Sequence, residues 1–346
     1  MTNVPDSTES KPRRILVRLP NWVGDVVMAT PALAALRAAQ PAAEIVAEGR
    51  PFLAGLLRGL PSLDAFLPEA RAIVARMRAL RARQFDWVVL LPDSVRSALA
   101  PFLAGVPVRV GYARDPLRRA LLSHALAAPA EAGRRVPISM VERYLRITRA
   151  LGCADVDRRT TLVVDAAARE AVAKRLAEAG LASEQRTLVV TPGASFGSSK
   201  LWPPGHFASA CDQIARRHGL AVVLAPGPGE EALAQTISRG MRERAIVLTA
   251  PATSLAELVA LIAGAALQFG NDTGPRHIAV ALGVPAIVLI GPTDPRHTAH
   301  QLERQRVLRE GVACSPCGLK TCPIDQRCMT RIAPERVAAA AAELLA

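Results

Sequence analysis

A chain of 346 residues, half of them apolar, is long enough for two domains with a core each and too apolar to be disordered throughout. It contains no charge-free run of about eighteen apolar residues, which excludes a membrane-spanning helix. The formal charge of +13 is almost all arginine, because lysine stands only at Lys11, Lys174, Lys200 and Lys320. Such an excess reflects either arginine-rich base composition or an anionic partner such as a membrane surface, a phosphorylated glycolipid or a nucleic acid. Nucleic acid is disfavoured, since two Tyr and seven Phe offer few platforms for base stacking.

Residues 1–12 read as a polar, disordered leader without the apolar core of a signal peptide. A buried strand over 14–19 ends at Pro20. The turn Asn21-Trp22-Val23-Gly24-Asp25 then leads into a helix carrying Val26, Val27, Ala29, Leu33 and Leu36. A strand over 44–47, helices over 52–60 and 73–83, a strand over 87–91, a helix over 95–103 and a strand over 108–111 continue the alternation. Strands alternating with helices predict a parallel sheet covered on both faces. Ligands of such sheets bind beyond the carboxyl ends of the strands, so the turn 21–25 and Pro92-Asp93-Ser94 belong to one rim.

Between 112 and 136 the pattern fades and Arg114, Arg118, Arg119, Arg134 and Arg135 accumulate around a helical insert over 117–126. This is a solvated loop region or a platform for an acidic acceptor, with Arg114, Arg118 and Arg119 as the contacts. A helix over 140–151, a short strand over 161–164 and a helix over 166–179 lead to a domain boundary near 165–185.

The second half repeats the rhythm with strands over 187–190, 221–224, 246–248, 265–267 and 286–290. After the first comes the small-residue loop 191–203 with Lys200, and after the second Gly227-Pro228-Gly229-Glu230-Glu231. The fourth precedes Phe269-Gly270-Asn271-Asp272-Thr273-Gly274-Pro275-Arg276-His277, a polar turn that opens a helix. The last strand ends in Gly291-Pro292-Thr293-Asp294-Pro295. A closing amphipathic helix covers 335–345, with Pro334 at its first turn.

The turn at 21–25 has one glycine and lacks the G-x-G-x-x-G fingerprint, which weighs against NAD or FAD, and there is no P-loop. It offers instead a carboxylate, Asp25, as a helix cap or as a general base. Asp272, Thr273 and Gly274 combine a carboxylate, a hydroxyl and a free amide at a helix start, which suits a ligand bearing sugar hydroxyls and phosphate. His277 lies one turn further, as a buried structural histidine or on the same rim. Small residues around Lys200 let backbone amides approach phosphate while the lysine adds a point charge. Either Glu of Glu230-Glu231 can accept from ribose hydroxyls or serve the helix dipole. Cys314, Cys317, Cys322 and Cys328 have the density of a metal site. Zinc is the first choice, an iron–sulfur cluster the second, and reduced thiols tying down a loop the competing reading.

Four stretches occur in order: Arg18-Leu-Pro-Asn-Trp-Val-Gly-Asp25, Pro192-Gly-Ala-Ser-Phe-Gly-Ser-Ser-Lys200-Leu-Trp-Pro203, Asn271-Asp-Thr-Gly-Pro-Arg-His277 and Gly291-Pro-Thr-Asp-Pro295. With Val141-Glu-Arg-Tyr144 and the cysteine cluster, the chain from Arg14 onward resembles the ADP-heptose:lipopolysaccharide heptosyltransferases, glycosyltransferase family 9. The resemblance implies an α/β chain of GT-B fold, with two Rossmann-like domains facing across a cleft. An acceptor domain over 13–170 and a donor domain over 185–330 are expected, with a helix over 334–346 that packs back on the first. It implies inverting heptosyl transfer from ADP-L-glycero-D-manno-heptose to the lipid A-core oligosaccharide without a catalytic metal, at the cytoplasmic face of the inner membrane and without nucleic acid.

By position, Asp25 matches the base and Lys200 the diphosphate-binding lysine. Asp272, Thr273, Gly274 and His277 match the donor loop, Ser195 a phosphate-binding Thr, and Glu231 a ribose-binding Glu. Leu201 and Pro275 depart from the family's usual residues, which bears on acceptor detail. The alternatives are a family 9 enzyme with another nucleotide-sugar or acceptor and, more distantly, a metal-containing nucleic-acid-binding protein.

Overall fold

The computed structural model describes residues 11–131, 134–154 and 157–346, so the leader expected over 1–12 lies outside the described residues except for Lys11 and Pro12. The chain divides into two compact units, Met1–Val163 and Val164–Ala346.

The first unit is a six-stranded parallel sheet of β1 (Arg14–Arg18), β2 (Glu44–Gly49), β3 (Ala65–Pro68), β4 (Trp87–Leu90), β5 (Val108–Tyr112) and β6 (His124–Leu126), in the order β3-β2-β1-β4-β5-β6. The central strands are buried on both faces, because helices cover the sheet on each side: Ile15, Leu16 and Val17 in β1 and the whole of β4 are closed to solvent. These helices are α1 (Val23–Met28), α2 (Thr30–Ala39), α3 (Ala54–Leu57), α4 (Ile73–Arg83), α5 (Val95–Ala104), α6 (Pro116–Leu121) and α7 (Met140–Arg149). The last buries one stripe, Val141, Tyr144, Leu145, Ile147 and Thr148, at helical spacing. A two-residue antiparallel pair, β7 (Ala130–Glu131) with β8 (Arg134–Arg135), lies beyond β6.

The second unit repeats the order with β9 (Thr187–Thr191), β10 (Ala221–Leu224), β11 (Ala245–Val247), β12 (Leu267–Asn271), β13 (Ala286–Leu289) and β14 (Gln305–Leu308), arranged β11-β10-β9-β12-β13-β14 and all parallel. Its helices are α8 (Ala166–Glu178), α9 (Pro204–His218), α10 (Glu231–Gly240), α11 (Leu255–Ala263), α12 (Gly274–Ala281), α13 (Arg327–Thr330) and α14 (Pro334–Leu345). Trp202 is fully buried and meets Phe207 and Phe269 edge-on, with ring centroids 5.0 and 5.8 Å away. Its indole N–H donates to the Ile332 carbonyl at 3.0 Å, which satisfies the one polar atom it brings inside.

Both sheets have the doubly wound strand order expected of Rossmann-like domains. Several sequence expectations are corrected. Strands β3, β6 and β14 stand where loops or helix were expected, because they are short, half-exposed pieces toward the sheet edges without a buried apolar run. The helical insert is only Pro116–Leu121, and residues 161–164 are irregular. Helix α8 belongs to the second unit, where Arg175 pairs with Glu257 on α11 at 3.3 Å. The C-terminal helix, expected to pack back on the first domain, lays Val337, Ala338, Ala340 and Ala341 into the core of the second unit against α9.

Candidate active site

In each unit the strand order reverses beside the first strand, between β1 and β4 and between β9 and β12. At such a point the two following loops diverge and leave a crevice at the carboxyl ends of the strands. Beyond β1 stands Asp25, in the first turn of α1, and the loop after β4 holds Asp93. The loops after β9 and β12 hold Lys200 and Asp272.

In the first unit the N-cap of α1 is Trp22, which is 52% exposed and makes no side-chain cap, so Asp25 lies within the first turn rather than at the cap. A carboxylate there is favoured by the helix dipole. Helix α7 packs on α1 and brings Tyr144 near. Burial first, then the charge of Asp25, push the Tyr144 phenol well above its usual range. Arg143, one residue earlier, pairs with Asp93 on the loop after β4 and stacks over the Tyr112 ring at 4.1 Å. In the same unit Arg18 and Arg76 are buried with Glu48, and Arg18 also reaches the half-buried Glu69 at 2.6 Å.

Arg118 is not an acceptor contact. It is fully buried and donates to the carbonyls of Tyr112 at 2.6 Å and Pro92 at 2.7 Å, to the Ser97 hydroxyl at 2.9 Å and to the Ser94 carbonyl. Its fork clamps the 92–94 loop that forms the rim. Arg114 and Arg119 are exposed, as a platform requires.

In the second unit the Lys200 ammonium, nearly closed to solvent, donates to the Asp272 carbonyl at 2.6 Å and to its carboxylate at 3.1 Å. This contact joins the loops on either side of the switch point. Asp272 also accepts from Arg276 at 2.8 Å and from the Thr293 hydroxyl at 2.8 Å. Burial alone would raise this carboxyl; Arg276, then Lys200 and His277, with the Thr293 hydroxyl, hold it well below the usual carboxylate range. Thr273 is the N-cap of α12, extended in backbone, and Gly274 begins the helix, so free amides face the rim beside Lys200.

His277 is buried and stacks on His300 with centroids 5.3 Å apart and planes at 6°. Burial, then Arg276, hold both rings neutral, with His300 lowered to about 4. The His277 Nδ1 and Asn271 Oδ1 atoms are buried without a hydrogen-bond partner, which in native proteins calls for an occupant or a role. Ser195 is exposed on its loop.

Four residues here were overlooked as site residues or ranked second. Glu230, not Glu231, folds back over the loops after β9 and β10. Its carboxylate accepts from the Gly227 amide at 2.8 Å and sits so close over Gly193 that a Cβ there would lie 1.7 Å from it, so any larger residue would displace the carboxylate. Burial raises its pKa against the pull of the Gly227 and Ala194 amides. Glu231 turns outward to the Gly229 amide at 3.1 Å. Arg276, 1% exposed, ties Asp272 to Thr298 and Gln305. Thr293 had appeared only as part of a motif, and Asn271 binds the Pro192 carbonyl at 2.6 Å. An arginine at helix position three and a threonine in a turn carry no local mark of what they reach.

Burial, then Cys314, Cys317 and Cys322, push the Cys328 thiol up. Among the described residues, however, no three His, Cys, Asp or Glu are gathered as a metal-holding group. Also among the described residues, no helix is long and apolar enough to cross a membrane.

The family model for glycosyltransferase family 9 (heptosyltransferase) matches residues 73–327. The chain belongs to glycosyltransferase family 9. It is 31% identical to lipopolysaccharide heptosyltransferase 2 of Salmonella typhimurium over 86% of this chain and 88% of that one, and 30% identical to its Escherichia coli counterpart over the same shares. Among solved structures, ADP-heptose lipopolysaccharide heptosyltransferase II of Escherichia coli matches with a TM-score of 0.79 at 28% identity, covering 96% of this chain and 98% of that one. A family 9 glycosyltransferase of Veillonella parvula matches with a TM-score of 0.81 at 23% identity, covering 96% and 97%, which shows the fold. Two Rossmann-like units of this kind are the GT-B architecture, and the family 9 member is a glycosyltransferase of the heptosyl-transferring class.

Proposed function

We propose that this family 9 enzyme transfers heptose from ADP-L-glycero-D-manno-heptose to the inner core of lipopolysaccharide, with inversion. The observation that carries the reading is the Lys200–Asp272 pair across the switch point of the second unit, beside the free amides of α12. A departing nucleoside diphosphate develops negative charge. A lysine and amides fixed in place beforehand stabilise that charge more in the transition state than in the ground state.

In this reading Lys200, Thr273 and Gly274 hold the diphosphate, with Ser195 at the loop tip. Asp272 keeps Lys200 aimed and offers its remaining lone pairs to sugar hydroxyls, and His277 lines the sugar side as a neutral imidazole. Glu230, rather than Glu231, takes the ribose hydroxyls, because its carboxylate lies at the mouth of the β9 and β10 loops. The first unit supplies Asp25 as the base that removes the proton from the acceptor hydroxyl while the bond to ADP breaks. Arg114 and Arg119 meet the phosphate and acidic-sugar groups of the lipid A-core acceptor, and the basic surface holds the enzyme peripherally at the cytoplasmic face of the inner membrane.

The test is incubation with ADP-heptose and a truncated lipid A-core acceptor, read by mass. The expected result is one added heptose and released ADP. A donor panel of ADP-, UDP-, GDP- and dTDP-sugars in which another donor outpaces ADP-heptose would overturn the donor assignment.

A further inference from the structure

The cysteine-bearing segment 314–328 runs beside the turn that carries Lys200. That turn, Ser198–Lys200, is a single 3-10 turn, a geometry with poor internal hydrogen bonds that does not hold itself in place. The segment holds it from two sides. The Ser199 amide donates to the Lys320 carbonyl at 3.0 Å and the Ser199 hydroxyl to the Leu319 carbonyl at 2.6 Å. The Gln326 side-chain amide donates to the carbonyls of Ser198 at 2.6 Å and Leu201 at 2.8 Å, which bracket Lys200. The two segments approach so closely that a Cβ on Gly197 would lie 2.3 Å from the Lys320 carbonyl oxygen.

Gln326 is itself fixed. Its backbone amide donates to Cys322 Sγ at 3.3 Å and its carbonyl accepts from the Met329 amide at 2.8 Å. Further along, the Ser315 hydroxyl donates to the Gly291 carbonyl at 2.6 Å and the Gly318 amide to the Pro292 carbonyl at 2.8 Å. The next residue, Thr293, reaches Asp272, and Asp272 reaches Lys200. Lys200, its turn, the cysteine segment, the 291–293 loop and Asp272 therefore form one closed circuit.

We propose that segment 314–328 is a strap that positions Lys200 for the diphosphate, with Gln326 as the positioning residue. The cysteines serve this strap, Cys322 by receiving the Gln326 amide and Cys328 by packing into the core. The inference rests on Lys200 binding the donor, and its test separates the two. In the full-length protein, ADP affinity is measured by calorimetry and KM for donor and acceptor by kinetics, with thermal denaturation as a check of folding.

Gln326→Ala removes two hydrogen bonds and is expected to raise the ADP Kd and the donor KM about tenfold while leaving the acceptor KM unchanged. Gln326→Glu keeps the size, loses the donors and is expected to match it. In a Lys200→Ala background Gln326→Ala is expected to add nothing. If Lys200→Ala alone leaves ADP affinity at the wild-type level, the reading of Lys200 fails. If Lys200→Ala weakens ADP but Gln326→Ala does not, or weakens it equally in both backgrounds, the strap is overturned. Should Gln326→Ala not fold, Ser199→Ala, which removes only the hydroxyl bond to Leu319, carries the same test with an expected change of about threefold.

Discussion

The two units share a strand order and yet their switch points are built in opposite electrical sense. After β1 the chain turns tightly and starts a helix with an acid, Asp25, in its first turn. After β9 it runs through a longer loop that ends in a cation, Lys200, braced by a distant segment of the same unit. On the function proposed above, one fold thus offers a proton acceptor in one copy and a diphosphate clamp in the other. Loop length and bracing set the difference, since the sheets beneath are the same.

The largest effect expected from breaking that contrast is at Asp25. Asp25→Ala should lower kcat by about two to four orders of magnitude, the usual worth of a general base, while calorimetry finds ADP binding intact. Turnover near the wild-type rate would remove the base from the first unit. Arg118→Ala comes next. It strips four buried acceptors of a charged donor and should destabilise the protein by about 3 kcal/mol or more in thermal or urea denaturation. A stable variant with only a raised acceptor KM would return Arg118 to the acceptor platform.

A smaller effect concerns the stacked histidines of the second unit. His300 is lowered to about 4 by burial, then by Arg276, so between about 4 and the unfolded value near 6.5 the unfolded chain binds more protons than the folded one. Stability should therefore fall as pH is lowered through that window. His300→Phe, which keeps the stack, should flatten the fall, and an unchanged slope would show that His300 is not its source. The smallest effect is expected at Arg119. As an exposed charge, Arg119→Glu should raise the acceptor KM a few-fold, more at low salt than at high, and leave the donor KM alone. Equal changes in both constants would take acceptor recognition away from this surface.

The alternation of apolar strands and helices made the two Rossmann-like halves legible before any coordinate, because buried parallel strands have an apolar pattern that survives in one dimension. Edge strands such as β3 and β14 were not legible, since an edge needs no such run. The residue classes at the two rims, an acid after β1, a lysine after β9 and a polar helix start after β12, could likewise be read from the chain, because helix starts and small-residue loops have local chemistry. What each side chain does was decided in three dimensions. Arg118 and Arg119 are neighbours in the chain, and helix geometry sends one into the core and leaves the other in water. Glu230 and Glu231 part in the same way, with one over Gly193 and the other facing outward. The spacing of the cysteine segment suggests a metal site, and nothing in the spacing points to Lys200. The segment's hydrogen bonds, which join residues more than a hundred positions apart, make it a brace for Lys200, and contacts over such separations leave no periodicity in a sequence.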